Sequence, residues 1–276
     1  MIRDDSSMRT GALTIPAQGP LDQLDASATP GFDGDKAQAR KATRRLRDEL
    51  IDLQRRLFAE GRQSLLIVLQ AMDTGGKDGL IRRVFSGVNP NGVRVARFGR
   101  PSERELAHDY LWRVHARAPA RGEIAIFNRS HYEDVLVVRV NELVPEAVWS
   151  RRYEHISAFE RLLADEGCRI VKFCLHIDRD EQRERLQARL DDPAKLWKFD
   201  AHDIEQRRLW DDYMQAYADA IRRTDTRWAP WYVIPANRKW FRDYAVMNIL
   251  VQTLRDMNPQ YPGPAEGFDP AAIQID

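Results

Sequence analysis

Apolar positions recur along this chain in two rhythms, and their alternation outlines a fold. From Lys36 to Glu60, Leu46, Leu50, Leu53 and Leu57 fall at helical spacing, and Gly61 follows as a stop. Residues 65–70 (LLIVLQ) are apolar almost throughout, the pattern of a strand buried on both faces. Lys77 to Ser86 returns to a helical pattern, and residues 93–98 (VRVARF) alternate like a strand. Ser102 followed by Glu105 is a capping-box signature that predicts a helix to about Ala116. Residues 122–130 (GEIAIFNRS) predict a second buried strand running into a polar turn. The β-branched stretch 132–140 stands between strand and helix, and its place after a turn favours helix. A helix over 145–166 closed by Gly167 and a buried strand over 168–177 come next. Charged helices over 180–190 and 204–223 are separated at Asp192-Pro193. A short strand over 231–237 and a helix over 238–257 complete the series.

Strands alternating with helices predict an α/β protein with a mostly parallel sheet covered on both faces. No repeat or low-complexity linker divides the chain, so one domain is expected over 36–260, with a helical lid near 180–200. Residues 1–35 lack periodicity and read as a mobile N-terminal arm, and 261–276 read as an irregular tail.

Composition changes this picture little. The 276 residues carry a formal net charge of +1, which gives no argument for nucleic-acid or membrane partners. The basic residues are mostly Arg, suited to bidentate phosphate contacts where they cluster. Cys168 and Cys174 share one predicted strand, too far apart along it to bond, and read as buried free thiols of a reducing cytoplasm. No apolar run approaches the ~20 residues that span a bilayer, and the N-terminus lacks a hydrophobic signal region.

The chemistry begins where the first strand ends. Residues 65–79 (LLIVLQAMDTGGKDG) place Gly75, Gly76 and Lys77 between a buried strand and a helix N-terminus. Backbone N–H groups and the helix dipole make such a loop an anion cradle. The pattern G-x-x-x-x-G-K-[ST] is met in part: Ala71 replaces the first glycine, and Asp78 stands where Ser or Thr would hold magnesium. Asp73 lies inside the loop, where a carboxylate beside phosphate calls for a cation between them, so Mg²⁺ on carboxylate is expected. Asn128, Arg129 and Ser130 end the second buried strand at the carboxyl edge of the sheet, where such folds bind ligands. Arg129 is suited to stabilising a phosphoryl group in flight, while Glu133 either caps a helix or approaches the ligand. Arg183, Arg185, Arg189, Lys195 and Lys198 are interleaved with acids and, beside a phosphate cradle, read as a cationic lid. His108 and His115 lack a third metal ligand and read as ordinary helix residues.

Four stretches carry a family resemblance. QAMDTGGKDG at the loop, SGVNPNGVRVARFGRPSERELAHDYLWR after it, FNRSHYEDVLVVRV at the second strand and KLWKF near the lid resemble the polyphosphate kinase 2 family over about residues 40–260. The resemblance implies a three-layer P-loop kinase fold similar to thymidylate kinase, a parallel sheet flanked by helices with a helical lid. It implies a reversible, Mg²⁺-dependent phosphotransferase acting between inorganic polyphosphate and AMP or ADP, with Mn²⁺ as a substitute. The form FNRSHYEDVLVVRV resembles the third subclass, which accepts both nucleotides. Guanine nucleotides are further expected acceptors, and a homo-oligomer without nucleic-acid or membrane partners is the expected assembly.

Carried onto this chain, the resemblance makes Asp73, Lys77 and Arg129 catalytic candidates. Thr74, Gly75, Gly76, Asp78, Gly79, Asn128, Ser130 and Glu133 become phosphate- or nucleotide-binding candidates. Arg183, Arg189, Lys195 and Lys198 would contact polyphosphate from the lid, and Asp73, with Asp78 second, would hold the metal. Glu133 falls where ADP-specific members tend to carry Asn. Two positions depart from the pattern. Ala71 stands for the usual glycine, which a negative φ would tolerate, and Asn128 stands where other subclasses carry Asp, which shifts metal binding towards Asp73. Two alternatives share parts of this reading: an ATP-dependent nucleoside monophosphate kinase, against which Asp78 argues, and a catalytically silent polyphosphate-binding protein.

Overall fold

A strand that is apolar on nearly every residue must be covered on both faces, and β1 (Ser64–Gln70) is buried at all seven of its positions. The computed structural model describes residues 21–264 together with 273 and 275. Five strands, β1 with β2 (Val93–Arg97), β3 (Ile124–Asn128), β4 (Cys168–His176) and β5 (Trp231–Pro235), form one parallel sheet in the order β2-β3-β1-β4-β5. Around it run α1 (Lys36–Glu60), α2 (Lys77–Val84), α3 (Glu103–Leu106), α4 (Trp112–His115), α5 (Val137–Val140) and α6 (Glu146–Trp149). The series continues with α7 (Arg152–Asp165), α8 (Arg179–Leu190), α9 (Ala201–Arg208), α10 (Trp210–Thr224) and α11 (Lys239–Met257).

Register sets where the loops emerge. Leu69 of β1 lies level with Asn128 at the end of β3 and with Phe173 of β4, so β1 and β3 end side by side while β4 runs on to His176. The chain leaves β1 for the β2 edge but leaves β3 for the opposite side of β1. Connections that diverge from neighbouring strands open a crevice between them, here between the loops following β1 and β3. The expected buried leucines of α1, Leu46, Leu50, Leu53 and Leu57, all face the core. Its start is a capping box, with Asp35 accepting from Gln38 N at 2.8 Å and Gln38 Oε1 accepting from Asp35 N at 2.8 Å.

Four expectations change. The helix expected from Ser102 to Ala116 is two short turns, because the Asp109 carboxylate takes the N–H groups of Leu111 and Trp112 and restarts the chain there. The helix expected over 145–166 splits into α6 and α7, and the Ser150 carbonyl at the break accepts from Arg223 at 3.3 Å. The helix expected over 204–223 divides into α9 and α10 at Leu209. The helical reading of 132–140 holds as a 3₁₀ turn at His131–Asp134 followed by α5. Cys168 and Cys174 are free and buried, as expected.

The fourth change concerns the N-terminal arm. Residues 1–20 lie outside the described residues, but the segment from 21 to 35 is packed rather than mobile. Leu21, Ala26 and Phe32 are buried, Asn237 N donates to Ala26 O at 3.1 Å, and Phe32 rests on Tyr244 with ring centroids 4.6 Å apart. Polar composition hid three apolar anchors whose spacing follows no period. Of the expected C-terminal tail, 261–264 form no regular element and 265–272, 274 and 276 lie outside the described residues. Phe32→Ala should therefore cost about 3 kcal/mol, the cost of emptying a buried aromatic site, read as a lower urea midpoint. An unchanged midpoint would return this segment to the status of a mobile arm.

Candidate active site

The loop between β1 and α2 owes its shape to two glycines and the alanine that faces one of them. A Cβ on Gly75 would lie 2.5 Å from Ala71 Cβ and 2.9 Å from Met72 O. Gly76 has φ 94, and a Cβ there would collide with the Arg242 guanidinium. Ala71 is buried and is not among the left-handed residues, so its methyl is tolerated as expected and fills the space that Gly75 leaves. Thr74 does adopt a left-handed backbone, at φ 64, which turns its carbonyl towards Arg185 Nη1 at 3.0 Å. The Thr74 hydroxyl is buried without a partner. Backbone of this kind costs of order 1–3 kcal/mol and persists only where its surroundings hold it.

Lys77 opens α2 and donates from Nζ to Ala71 O at 2.8 Å. Burial, with the charge of Arg129 added, holds its ammonium below the ordinary lysine range. From the β3 loop Arg129, itself at φ 62, reaches Asp73 Oδ1 at 2.7 Å and Glu133 Oε2 at 3.4 Å. Glu133 first, with Asp73 adding to it against the opposing effect of burial, makes this guanidinium hold its proton more firmly than usual. Glu133 thus lines the cleft and caps no helix. Asp78 accepts from Asn128 Nδ2 at 2.6 Å and pairs with Arg97 at 3.1 Å. Burial pushes the Asp78 carboxyl up, but those two partners outweigh it and hold the group below its usual range.

These residues line a cleft of about 830 Å³ that also takes in Gly79, Arg189, Lys195, Trp197 and Lys198. Arg189 is held by Asp203 at 2.9 Å and by the Lys198 carbonyl at 3.1 Å. Burial and the nearby Asp73 push the Asp203 carboxyl up to about 6. Two expected residues are placed elsewhere. Arg183 is exposed on α8 and pairs with Asp180 at 3.4 Å, away from the cleft lining. Ser130 is fully buried, where its hydroxyl accepts from Gln70 Nε2 at 3.0 Å and from Tyr132 N at 3.1 Å, a cap rather than a ligand contact.

Other residues prove more central than their local sequence suggests. Gln182 donates to Asp73 O at 3.1 Å, and Arg185 also donates to Ala236 O at 2.7 Å, so α8 grips the loop by its carbonyls. Arg242, buried at the start of α11, points Nη1 at Gly76 O. Arg185 belongs to the cationic run already noted. Arg242 has no local motif, and its only sequence signal is a basic residue in the first turn of a helix that follows a buried strand. Among the described residues no group of three or more His, Cys, Asp or Glu side chains could hold a metal ion alone. The donor set instead fits an ion shared with a ligand: Asp73 lines the cleft and the Thr74 hydroxyl beside it lacks a partner.

The strand order, the loop and the cationic cleft together define a phosphate-loop, kinase-like protein. The family model for polyphosphate kinase 2 matches residues 33–262, and the chain belongs to that family. It is 58% identical over 254 residues to the AMP/ADP-polyphosphate phosphotransferase of Meiothermus ruber, covering 92% of this chain and 95% of that one. It is 45% identical over 227 residues to the ADP-polyphosphate phosphotransferase of Rhodopseudomonas palustris, covering 78% of each. The crystal structure of polyphosphate kinase 2 from Arthrobacter aurescens TC1 matches with a TM-score of 0.92 at 41% identity, over 97% of this chain and 95% of that chain.

The Ala71–Gly75 contact gives a compensation test. Gly75→Ala should lower phosphoryl transfer at least about tenfold, the scale of a displaced preorganised contact. Adding Ala71→Gly removes the nearer clash and should recover part of that loss. Equal activity of the single and double variants would show that the two residues do not share this space.

Proposed function

We propose that this chain moves the terminal phosphoryl group of inorganic polyphosphate onto AMP or ADP, reversibly, giving ADP or ATP. The observation that carries this reading is a second cationic cleft beside the first, which shares lining residues with it. Its volume is about 790 Å³, and its lining includes Lys36, Arg40, Arg44 and Arg47 along α1, with Arg83, Arg238 and Lys239. Arg83 and Lys239 line both clefts. The carboxylates at its wall are already paired, Glu181 with Arg185 and Asp243 with Arg83 and Arg242. Arg47 adds a buried Nε without a hydrogen-bond partner. A nucleoside triphosphate would end within one cleft, whereas a track of cations leading away from the loop suits a longer polyanion.

Phosphoryl transfer asks little covalent work of a protein and much positioning and charge neutralisation. The backbone of 75–77 and Lys77 cradle the transferring group, Arg129 neutralises charge as it develops, and Arg189, Lys195 and Lys198 hold phosphates from the lid. Asp73, with phosphate oxygens of the substrates, would hold Mg²⁺ or Mn²⁺, which supplies further charge neutralisation. Both nucleotides named for the Meiothermus ruber relative support AMP and ADP as acceptors, and the GDP named for a relative from Corynebacterium glutamicum supports guanine nucleotides as further ones. A cytoplasmic homo-oligomer belongs to the same proposal, and the two free buried thiols support that compartment.

Incubation of AMP and ADP separately with Mg²⁺ and either polyphosphate or ATP tests the donor, since a nucleoside monophosphate kinase would respond to ATP alone. In the polyphosphate assay Lys77→Ala should lower kcat by about 100-fold or more. Near-native turnover in that folded variant would remove the assignment. Arg40→Glu with Arg44→Glu should raise KM for long polyphosphate several-fold, flatten its rise with salt and leave KM for AMP unchanged. If KM for long chains stays flat, the second cleft is not the polyphosphate track.

A further inference from the structure

Behind the site lies a charged cluster that phosphate binding leaves without a task. Lys172 on β4 and Glu160 on α7 are fully buried, with Nζ 2.6 Å from Glu160 Oε2. The ammonium also donates to the Tyr132 hydroxyl and to Thr224 O, both at 2.8 Å, so all three of its donors are used. Glu160 Oε1 lies 2.9 Å from the Tyr132 hydroxyl and 3.2 Å from His131 Nε2. Thr224 Oγ1 lies 2.8 Å from the same hydroxyl and accepts from Trp231 Nε1 at 3.0 Å.

Stability does not account for such a cluster. Desolvating two charges costs several kcal/mol per ion, and apolar residues of similar volume often serve as well or better. Its effect is geometric. His131 and Tyr132 are buried in the turn that follows β3, as is Ser130, and Arg129 and Glu133 of the same turn line the cleft. The turn begins with Arg129 in a left-handed backbone and is capped by Ser130. Contacts from β4, α7 and the end of α10 therefore fix the inner side of the turn. Any rotation of it would swing the Arg129 guanidinium off Asp73.

We propose that the Lys172–Glu160 pair, acting through Tyr132 and His131, is a positioning device that aims Arg129 at the transferring phosphoryl group. The inference rests on the charge-neutralising role read for Arg129 above. Tyr132→Phe keeps the ring and removes the hydroxyl. In the AMP and polyphosphate assay it should lower kcat about tenfold, the scale of a sub-ångström misplacement, with KM for AMP within about twofold of native. In an Arg129→Lys background, itself slow, the same substitution should cause no further fall in kcat, because the two changes then share one cause. A purely structural role would instead lower kcat by the same factor in both backgrounds, or lower Tm alone, and either result overturns the proposal.

Lys172→Met combined with Glu160→Met removes both charges without leaving one unpaired. This variant should fold with a urea midpoint no lower than native yet turn over about tenfold more slowly. Native kcat in the folded double variant overturns the proposal, and if that variant does not fold, the Tyr132→Phe cycle decides. Native turnover by Arg129→Lys would remove the role of Arg129 and this inference together. A slow Arg129→Lys with additive effects removes the positioning device alone.

Discussion

The placement of β1 between β3 and β4 is the constraint on which the rest of the site depends. Hydrogen bonding in register brings the ends of β1 and β3 level, so the loops after them emerge together. Because those loops then depart to opposite sides of the sheet, the crevice between them stays open. Asp73 and Arg129 are 56 residues apart in sequence, yet this pairing sets them at 2.7 Å. The α11 helix, which follows β5 at the same edge, adds Arg242 beneath Gly76. Each functional group is thus delivered by a backbone that could not easily be arranged otherwise.

Electrostatics then gives the crevice its demand. At an effective dielectric near 20, two unit charges 4 Å apart interact by about 4 kcal/mol, so crowded like charges are costly without counter-ions. Lys77 carries part of that cost: burial first, and the charge of Arg129 second, weaken its hold on a proton. The available carboxylates are largely committed: Asp78 to Arg97 and Asn128, Asp203 to Arg189, Asp243 to Arg83 and Arg242. A formal net charge of +1 hides this segregation, because the acids that balance the sum lie mostly elsewhere on the surface. What the clefts lack is negative charge, and the family's polyanionic chemistry supplies it.

Legibility in sequence followed the reach of the forces involved. The strands β1 and β3 were readable because burial on both faces writes itself as a nearly unbroken apolar run, and β4 because its apolar positions dominate despite Arg169 and Lys172. That Lys77, Asp73 and Gly76 share one cleft was readable because they sit within a few residues of each other between strand and helix. Helix interruptions were not readable, since they depend on single side chains such as Asp109 capturing backbone groups that a continuous helix would use. The settings of Arg183 and Ser130 were hidden for a related reason. Residue type suggested phosphate contact, but the direction of each side chain is decided by its turn of helix or by its neighbours. Gln182 and Arg242 could not be found locally, because their partners lie 109 and 166 residues away.

The same contacts divide the proposed lid into unequal parts. The first turns of α8 are tied to the phosphate loop, with Gln182 on the Asp73 carbonyl and Arg185 on those of Thr74 and Ala236. Arg207 on α9 extends this grip by donating to Gln182 Oε1 at 2.9 Å. Beyond Arg189 the pattern changes: Lys195 pairs with Asp192, Trp197 bonds back to Ala194 O, and its ring is 77% exposed. Local, solvent-exposed contacts of this kind cost little to break, whereas carbonyls held from three directions cost much. The base of α8 is therefore tied to the phosphate loop, whereas the 192–200 segment that carries Lys195, Trp197 and Lys198 is held by local contacts, which suits the adaptable part of the proposed lid.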